Sequence, residues 1–241
     1  MGLERTGVWR RVWIHGACLA ALSAGVALRP GQAQAQPEAP APPAGPGKTA
    51  DAPPPSATPV EGFRRARFGM SEQEVRQAIQ RDFPAAAGRV ARAVHPREGT
   101  TVLTVTVDDL LPAAGPGRIS YILGHASKRL AQVNVVWAGD GRSAARDEAI
   151  VAAANALRDH FQTQRLAPPD EVVANRQVGE NAFLVFRAAQ ADGRMVLLLL
   201  SGVAAAGRTD RDPAPPPLTL QLSYMRDHAN PDVFRIERGR F

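Results

Sequence analysis

Cysteine occurs once in the 241 residues, as Cys18, inside the mostly apolar stretch Val12 to Leu28. No disulfide can form within the chain, and no thiolate is left beyond position 35 for catalysis or metal binding. Stability must come from burial. Lysine is nearly as scarce, at 48 and 128 only, so arginine carries the basic charge. The formal net charge of +6 is also unevenly placed, because Arg5, Arg10, Arg11 and Arg29 against Glu4 put +3 of it in the first 35 residues. The other +3 is too small and too scattered to mark a nucleic-acid binder.

The motifs of common chemistries are missing as well. No serine lies in G-x-S-x-G, and Ser201-Gly202 supplies only half of that motif, with no helix predicted after it. His95, His125, His160 and His228 are far apart, without H-x-x-x-H or H-E-x-x-H spacing. Asp159-His160 falls near a predicted helix C-terminus, where the helix dipole accounts for a histidine. Asp108-Asp109 are neighbours at the end of a predicted strand, so they point to opposite faces and make a poor acid/base pair. No phosphate-cradling loop or dinucleotide fingerprint is present. These absences point away from an enzyme and predict no catalytic residue, no metal site and no cofactor.

The front of the chain has the marks of export. Arg5, Arg10 and Arg11 form a positive region before the apolar stretch, and Ala33-Gln34-Ala35 is an A-x-A cleavage site. Residues 1–35 are expected to be a signal peptide cut after Ala35, leaving no transmembrane segment and a periplasmic or secreted protein. The Arg10-Arg11 pair leaves a twin-arginine route open beside general secretion. Residues 36–60 hold nine prolines and no apolar side chain larger than alanine before Val60. Such a stretch cannot bury enough surface to fold and reads as a disordered, extended linker. A single α+β domain is expected over 61–241.

The domain opens at Phe68-Gly69-Met70-Ser71. Ser71 with Glu74 is a capping box, Met70 and Val75 are placed to staple it, and Val75, Ala78, Ile79 and Phe83 recur at helical spacing up to Pro84. The spacing predicts a helix over 72–82. The period then drops to 2, predicting strands at 89–94, 101–107, 118–123 and 130–137, with Val133, Val135 and Trp137 inward. A second helix is predicted over 144–163 from Ile150, Ala153, Leu157 and Phe161. Strands follow at 172–178, 182–187, 194–203 and 218–224. Each half is thus a helix followed by four strands. The expected fold is two tandem repeats, about 68–138 and 143–225, forming one antiparallel sheet with helices on one face.

The start Phe68-Gly69-Met70-Ser71 with Glu74-Val75 resembles the G-M-[ST]-x-x-x-V helix start of small α/β envelope proteins. These include the SmpA/BamE outer-membrane assembly lipoproteins, the tandem-repeat β-lactamase inhibitor protein and exported proteobacterial proteins with an F-G-M-[ST] start. The lipobox cysteine of the first and the disulfides of the second have no counterpart here. The resemblance implies a non-enzymatic protein-binding module and carries over no specific site. The expected function is an exported binding or scaffold module. An inhibitor of an envelope or secreted hydrolase is the first alternative, and an enzyme of unrecognised type the second. Two arginine clusters are the candidate partner-binding residues: Arg64, Arg65 and Arg67 before the first helix, and Arg235, Arg238 and Arg240 at the C-terminus. Either suits an acidic patch on another envelope protein or an anionic envelope surface.

Overall fold

The computed structural model describes residues 57–111, 114–203 and 216–235. The predicted signal, nearly all of the predicted linker, the stretch 204–215, and Arg238 and Arg240 lie outside the described residues. All the described residues fall within one unit, Pro53–Phe241.

The first helix, α1 (Glu72–Asp82), forms as its sequence dictates. The Ser71 hydroxyl accepts from the Glu74 N–H at 3.4 Å, and the Glu74 carboxylate accepts from the Ser71 N–H at 2.7 Å. Val75, Ala78 and Ile79 are its buried stripe. Pro84 ends this helix but does not end helical structure. It begins a one-turn helix, α2 (Pro84–Ala87), where a missing N–H costs nothing. The second long helix is α3 (Ala144–Thr163), capped by Ser143, whose hydroxyl accepts from the Arg146 N–H at 3.2 Å.

A two-stranded hairpin precedes α1: β1 (Gly62–Phe63) and β2 (Ala66–Arg67). The remaining strands are β3 (Ala91–Val94), β4 (Thr101–Leu111), β5 (Gly115–Leu123), β6 (Leu130–Ala138), β7 (Val172–Gly179), β8 (Ala182–Ala189), β9 (Met195–Ser201) and β10 (Thr219–Met225). They make one eight-stranded antiparallel sheet in the order β3-β4-β5-β6-β10-β9-β8-β7. The last strand therefore pairs with the fourth strand of the sheet, β6, through seven residue pairs from Thr219↔Ala138 to Met225↔Gln132. Each end of the sheet is an exposed strand, β3 or β7. Arg92 on β3, and Arg176 and Gln177 on β7, keep those edges polar.

Register sorts the sheet's side chains by face. Leu103, Tyr121, Val133, Tyr224, Val196 and Ala188 are successive partners across six strands, and Val105, Ile119, Val135, Leu222, Leu198 and Phe186 form the next row. These rows share one buried cluster with Val75 and Ile79 of α1 and with Ile150, Ala154 and Phe161 of α3. Phe161 stacks on Phe186 at 5.6 Å and meets Tyr224 edge-on at 6.3 Å, which ties α3 to β8 and β10. Among the described residues no helix is long and apolar enough to cross a membrane.

The chain before the hairpin is fastened down. The Val60 N–H donates to the Gln190 side-chain oxygen at 3.0 Å, the Gln190 amide donates to the Thr58 carbonyl at 2.7 Å, and Val60 is buried. The last residues of the predicted linker are thus part of the packed domain.

Candidate functional site

Two features of the molecule are candidates: a cavity on the helix side of the sheet, and the opposite sheet face.

The cavity, of about 130 Å³, lies among the β1–β2 hairpin, the later turns of α3 and the central strands β6 and β10. The hairpin exists because Gly62 and Arg64 accept unusual backbone. Gly62 has φ +141°, and a Cβ there would collide with the Ala66 carbonyl oxygen. Arg64, the first of two loop residues, has φ +53°, a left-handed conformation that glycine adopts freely and arginine does not. The tight turn turns Phe63 onto Tyr224, ring centroids 5.7 Å apart. Leu157, His160 and Phe161 contribute from α3, Trp137 and Leu222 from the sheet, and Leu110 and Leu111 from the far end of β4.

The cavity wall is mainly apolar, with a few polar atoms. Trp137 is 2% exposed, and its buried Nε1–H donates to no group among the described residues. Burial pushes the Tyr224 hydroxyl up to about 12, so it is a neutral phenol at physiological pH. The Tyr121 hydroxyl is pushed up further by burial and by the Asp82 charge, and it too is buried without a partner among the described residues. His160 is exposed, with Nε2 2.7 Å from the Gln164 amide nitrogen.

The hairpin arginines do different jobs. Arg65 is held by Asp82, whose Oδ1 lies 2.8 Å from the Arg65 guanidinium and whose Oδ2 accepts from the Arg65 N–H at 3.1 Å. Arg67 pairs with Glu61 across the hairpin at 3.0 Å. Arg64 makes no ion pair among the described residues. Its guanidinium lies 5.1 Å from the Phe83 ring centroid and 5.8 Å from that of Phe63, at the cavity. Of the three arginines in this cluster, Arg64 alone has no carboxylate partner among the described residues.

In the other cluster, Arg235 is exposed beside Phe234. The Phe234 N–H donates to the Glu98 carbonyl at 2.7 Å, and its ring lies edge-on to His125 at 5.4 Å. Asp232 clamps this tail by accepting from the Ala126 and Ser127 N–H groups at 2.8 and 3.0 Å. Burial raises its carboxyl, but these hydrogen bonds outweigh that and hold it below its ordinary value. Arg238 lies outside the described residues, and no ion pair links Arg235 to the hairpin among those described.

The opposite sheet face presents three rows of a different character. Thr104, Ser120, Asn134, Ser223, Leu197 and Arg187 are successive partners, as are Thr106, Arg118, Val136, Gln221 and Leu199. Val102, Ile122, Gln132, Met225, Met195 and Ala189 make the third. The polar members bond to each other: Gln132 donates to Asn134 at 2.8 Å, Gln221 donates to Ser223 at 3.0 Å, and the Thr104 and Ser120 hydroxyls lie 3.4 Å apart. Residues on this face fall outside the buried cluster that takes in α1 and α3.

The described residues hold no group of three or more His, Cys, Asp or Glu placed to bind a metal ion. His95 lies with Glu98, His125 with Gly99, and His228 Nδ1 lies 2.7 Å from the Gly193 carbonyl oxygen, which accepts, so each is engaged locally. Sequence reasoning singled out the arginines but missed the cavity. Its wall draws on residues from 63 to 224, and only the alternation that turned Trp137 inward hinted at it. No family model, curated protein or solved structure matches the chain.

Proposed function

We propose that the chain is an exported, non-enzymatic protein-binding module that engages a partner protein of the cell envelope through the sheet face opposite α1 and α3. One observation carries this reading. Val136, Leu197, Leu199 and Met225 are half-buried on that face, with Arg118 and Gln221 beside them, across the four central strands β5, β6, β10 and β9. Apolar side chains flanked by polar ones, on rigid strands, are what a protein interface needs. The internal bonds of Gln132, Asn134, Gln221 and Ser223 hold the polar side chains in place, so binding costs less ordering.

The duplication reading belongs to the same proposal. The elements run α1 and α2 with four strands, then α3 with four strands, and the strand order 3-4-5-6 meets 10-9-8-7 at the β6–β10 pair. That order supports two units related about a central seam. Export by a signal peptide cut after Ala35 is part of the proposal, and its support is the sequence of residues 1–35.

The test uses the exported full chain and a variant carrying Leu199→Glu and Val136→Lys. Both should show the same circular dichroism and unfolding transition. Envelope proteins captured in stoichiometric amount by the natural chain should be lost from the variant, and the captured chain should begin at Gln36. Retained capture by the variant would sink the sheet-face reading. A captured hydrolase whose activity falls on binding would identify the partner class as an inhibited enzyme, whereas a structural assembly would identify a scaffold.

A further inference from the structure

We propose that the cavity beneath the β1–β2 hairpin is a binding site for a small aromatic carboxylate, with its ring in the hollow and its carboxylate on Arg64.

Size sets the class of ligand. A hollow of about 130 Å³ is close to the roughly 150 Å³ that holds one benzene-sized molecule. Shape and surface then favour a ring. Phe63, Trp137, Phe161 and Tyr224 all line the hollow, and aromatic faces and edges pack best against another aromatic.

Charge selects a carboxylate. Arg64 has no carboxylate among the described residues, while its neighbours Arg65 and Arg67 each have one. Its guanidinium lies against the Phe63 and Phe83 rings in an exposed position, which leaves its planar fork open to a bidentate anion. Trp137 supplies the reporter. Its side chain lines the hollow, while its Nε1–H is buried over Gly117.

The experiment is a ¹⁵N NMR titration of the full chain. The chain contributes three indole N–H signals, from Trp9, Trp13 and Trp137, and that of Trp137 is assigned by its loss in Trp137→Phe. Phenylacetate is the probe, and toluene is its uncharged counterpart. Phenylacetate should move the Trp137 signal and bind about tenfold or more tighter than toluene. Arg64→Gly, which suits the turn's backbone and so should fold, should remove that advantage, so that the two probes bind alike. Arg64→Gln should do the same while keeping a long side chain. A Trp137 signal that neither probe moves at millimolar concentration would overturn the proposal. Equal affinity for the two probes, or an advantage that survives both Arg64 variants, would overturn it too.

Discussion

Trp137 stands directly across the β5–β6 ladder from Gly117, and the glycine makes the room that the indole fills. A Cβ on residue 117 would sit 2.9 Å from Leu110 Cδ2 and 3.0 Å from Trp137 Nε1. A glycine inside a strand weakens it, but a large aromatic laid across the bare backbone recovers packing. Gly117→Val should therefore cost about 1–3 kcal/mol through overpacking, although valine is the better strand former. Urea denaturation measures the loss, and near-ultraviolet circular dichroism should show a displaced indole. A variant as stable as the natural chain, with an unchanged spectrum, would mean that Gly117 does not set the position of Trp137.

The Arg65–Asp82 pair anchors the hairpin to the end of α1. The Asp82 side chain is 3% exposed and that of Arg65 63%, so the pair is half in water and its coupling is screened. A double-mutant cycle with Arg65→Ala and Asp82→Ala should give a coupling of about 1 kcal/mol or less. Asp82→Ala alone should cost more than Arg65→Ala, because the Arg65 N–H also loses its acceptor. Equal single-mutant costs would show that the backbone contact contributes nothing.

Stability should fall at both ends of the pH scale, for different groups. At the acid end the responsible carboxylates include Glu72 and Asp232. Burial raises Glu72, but hydrogen bonds from Arg76 and Arg92 outweigh this and hold it below its ordinary 4.5. Asp232 is likewise held below 3.8 by Ser127 and Ala126. A carboxyl lowered on folding stabilises the fold above its unfolded value, and that contribution disappears as pH falls through the folded value. The loss should begin near pH 4.5 and be smaller in Glu72→Gln. At the alkaline end the sign is reversed. Tyr224 rises from 10.0 to about 12 on burial, so its contribution is complete below pH 10 and lost as pH rises toward 12. Tyr224→Phe should flatten the stability profile between those limits, as read by denaturant midpoints.

Much of this fold could be read from residue spacing, and the exceptions have physical causes. The helix over 72–82 and the inward set Val133, Val135 and Trp137 are found as expected, because caps and period-2 alternation are local signals. The β1–β2 hairpin has two residues in each strand, too few for any period to show. Strand β4 runs on through Asp108-Asp109 to Leu111, where the charges suggested an end. The ladder survives there because its register shifts between Val107 and Leu111, and both aspartates are exposed. Ser223 faces the polar side as alternation predicts, yet it is 1% exposed because Gln221 and its neighbours cover it. The cavity needed three dimensions: spacing tells which face a side chain takes, not where packing stops short of filling space. Arg64 looked like one of three equivalent arginines, and only their partners separate it from Arg65 and Arg67.

The two helix starts give the last prediction. Ser71 and Glu74 exchange hydrogen bonds in both directions, and the Ser71 hydroxyl also donates to the Glu74 carboxylate at 2.7 Å. The Ser143 hydroxyl makes one bond, accepting from the Arg146 N–H; residue 146 is an arginine and cannot answer, and the Ser143 N–H donates instead to Asp140 at 2.9 Å. Ser71→Ala should therefore destabilise the chain by about 1 kcal/mol or more, and Ser143→Ala by less. Acid provides the control. Hydrogen bonds from Ser71 hold the Glu74 carboxyl below its ordinary value, so protonation weakens the reciprocal half of the box as pH falls below 4.5. The penalty of Ser71→Ala should shrink there, while that of Ser143→Ala, whose lost hydroxyl meets no carboxylate, should not. Denaturant unfolding of the two variants at neutral pH and at pH 3.5 decides it. Equal shrinkage in both would mean that the acid response arises elsewhere and that the Glu74 arm of the box adds nothing.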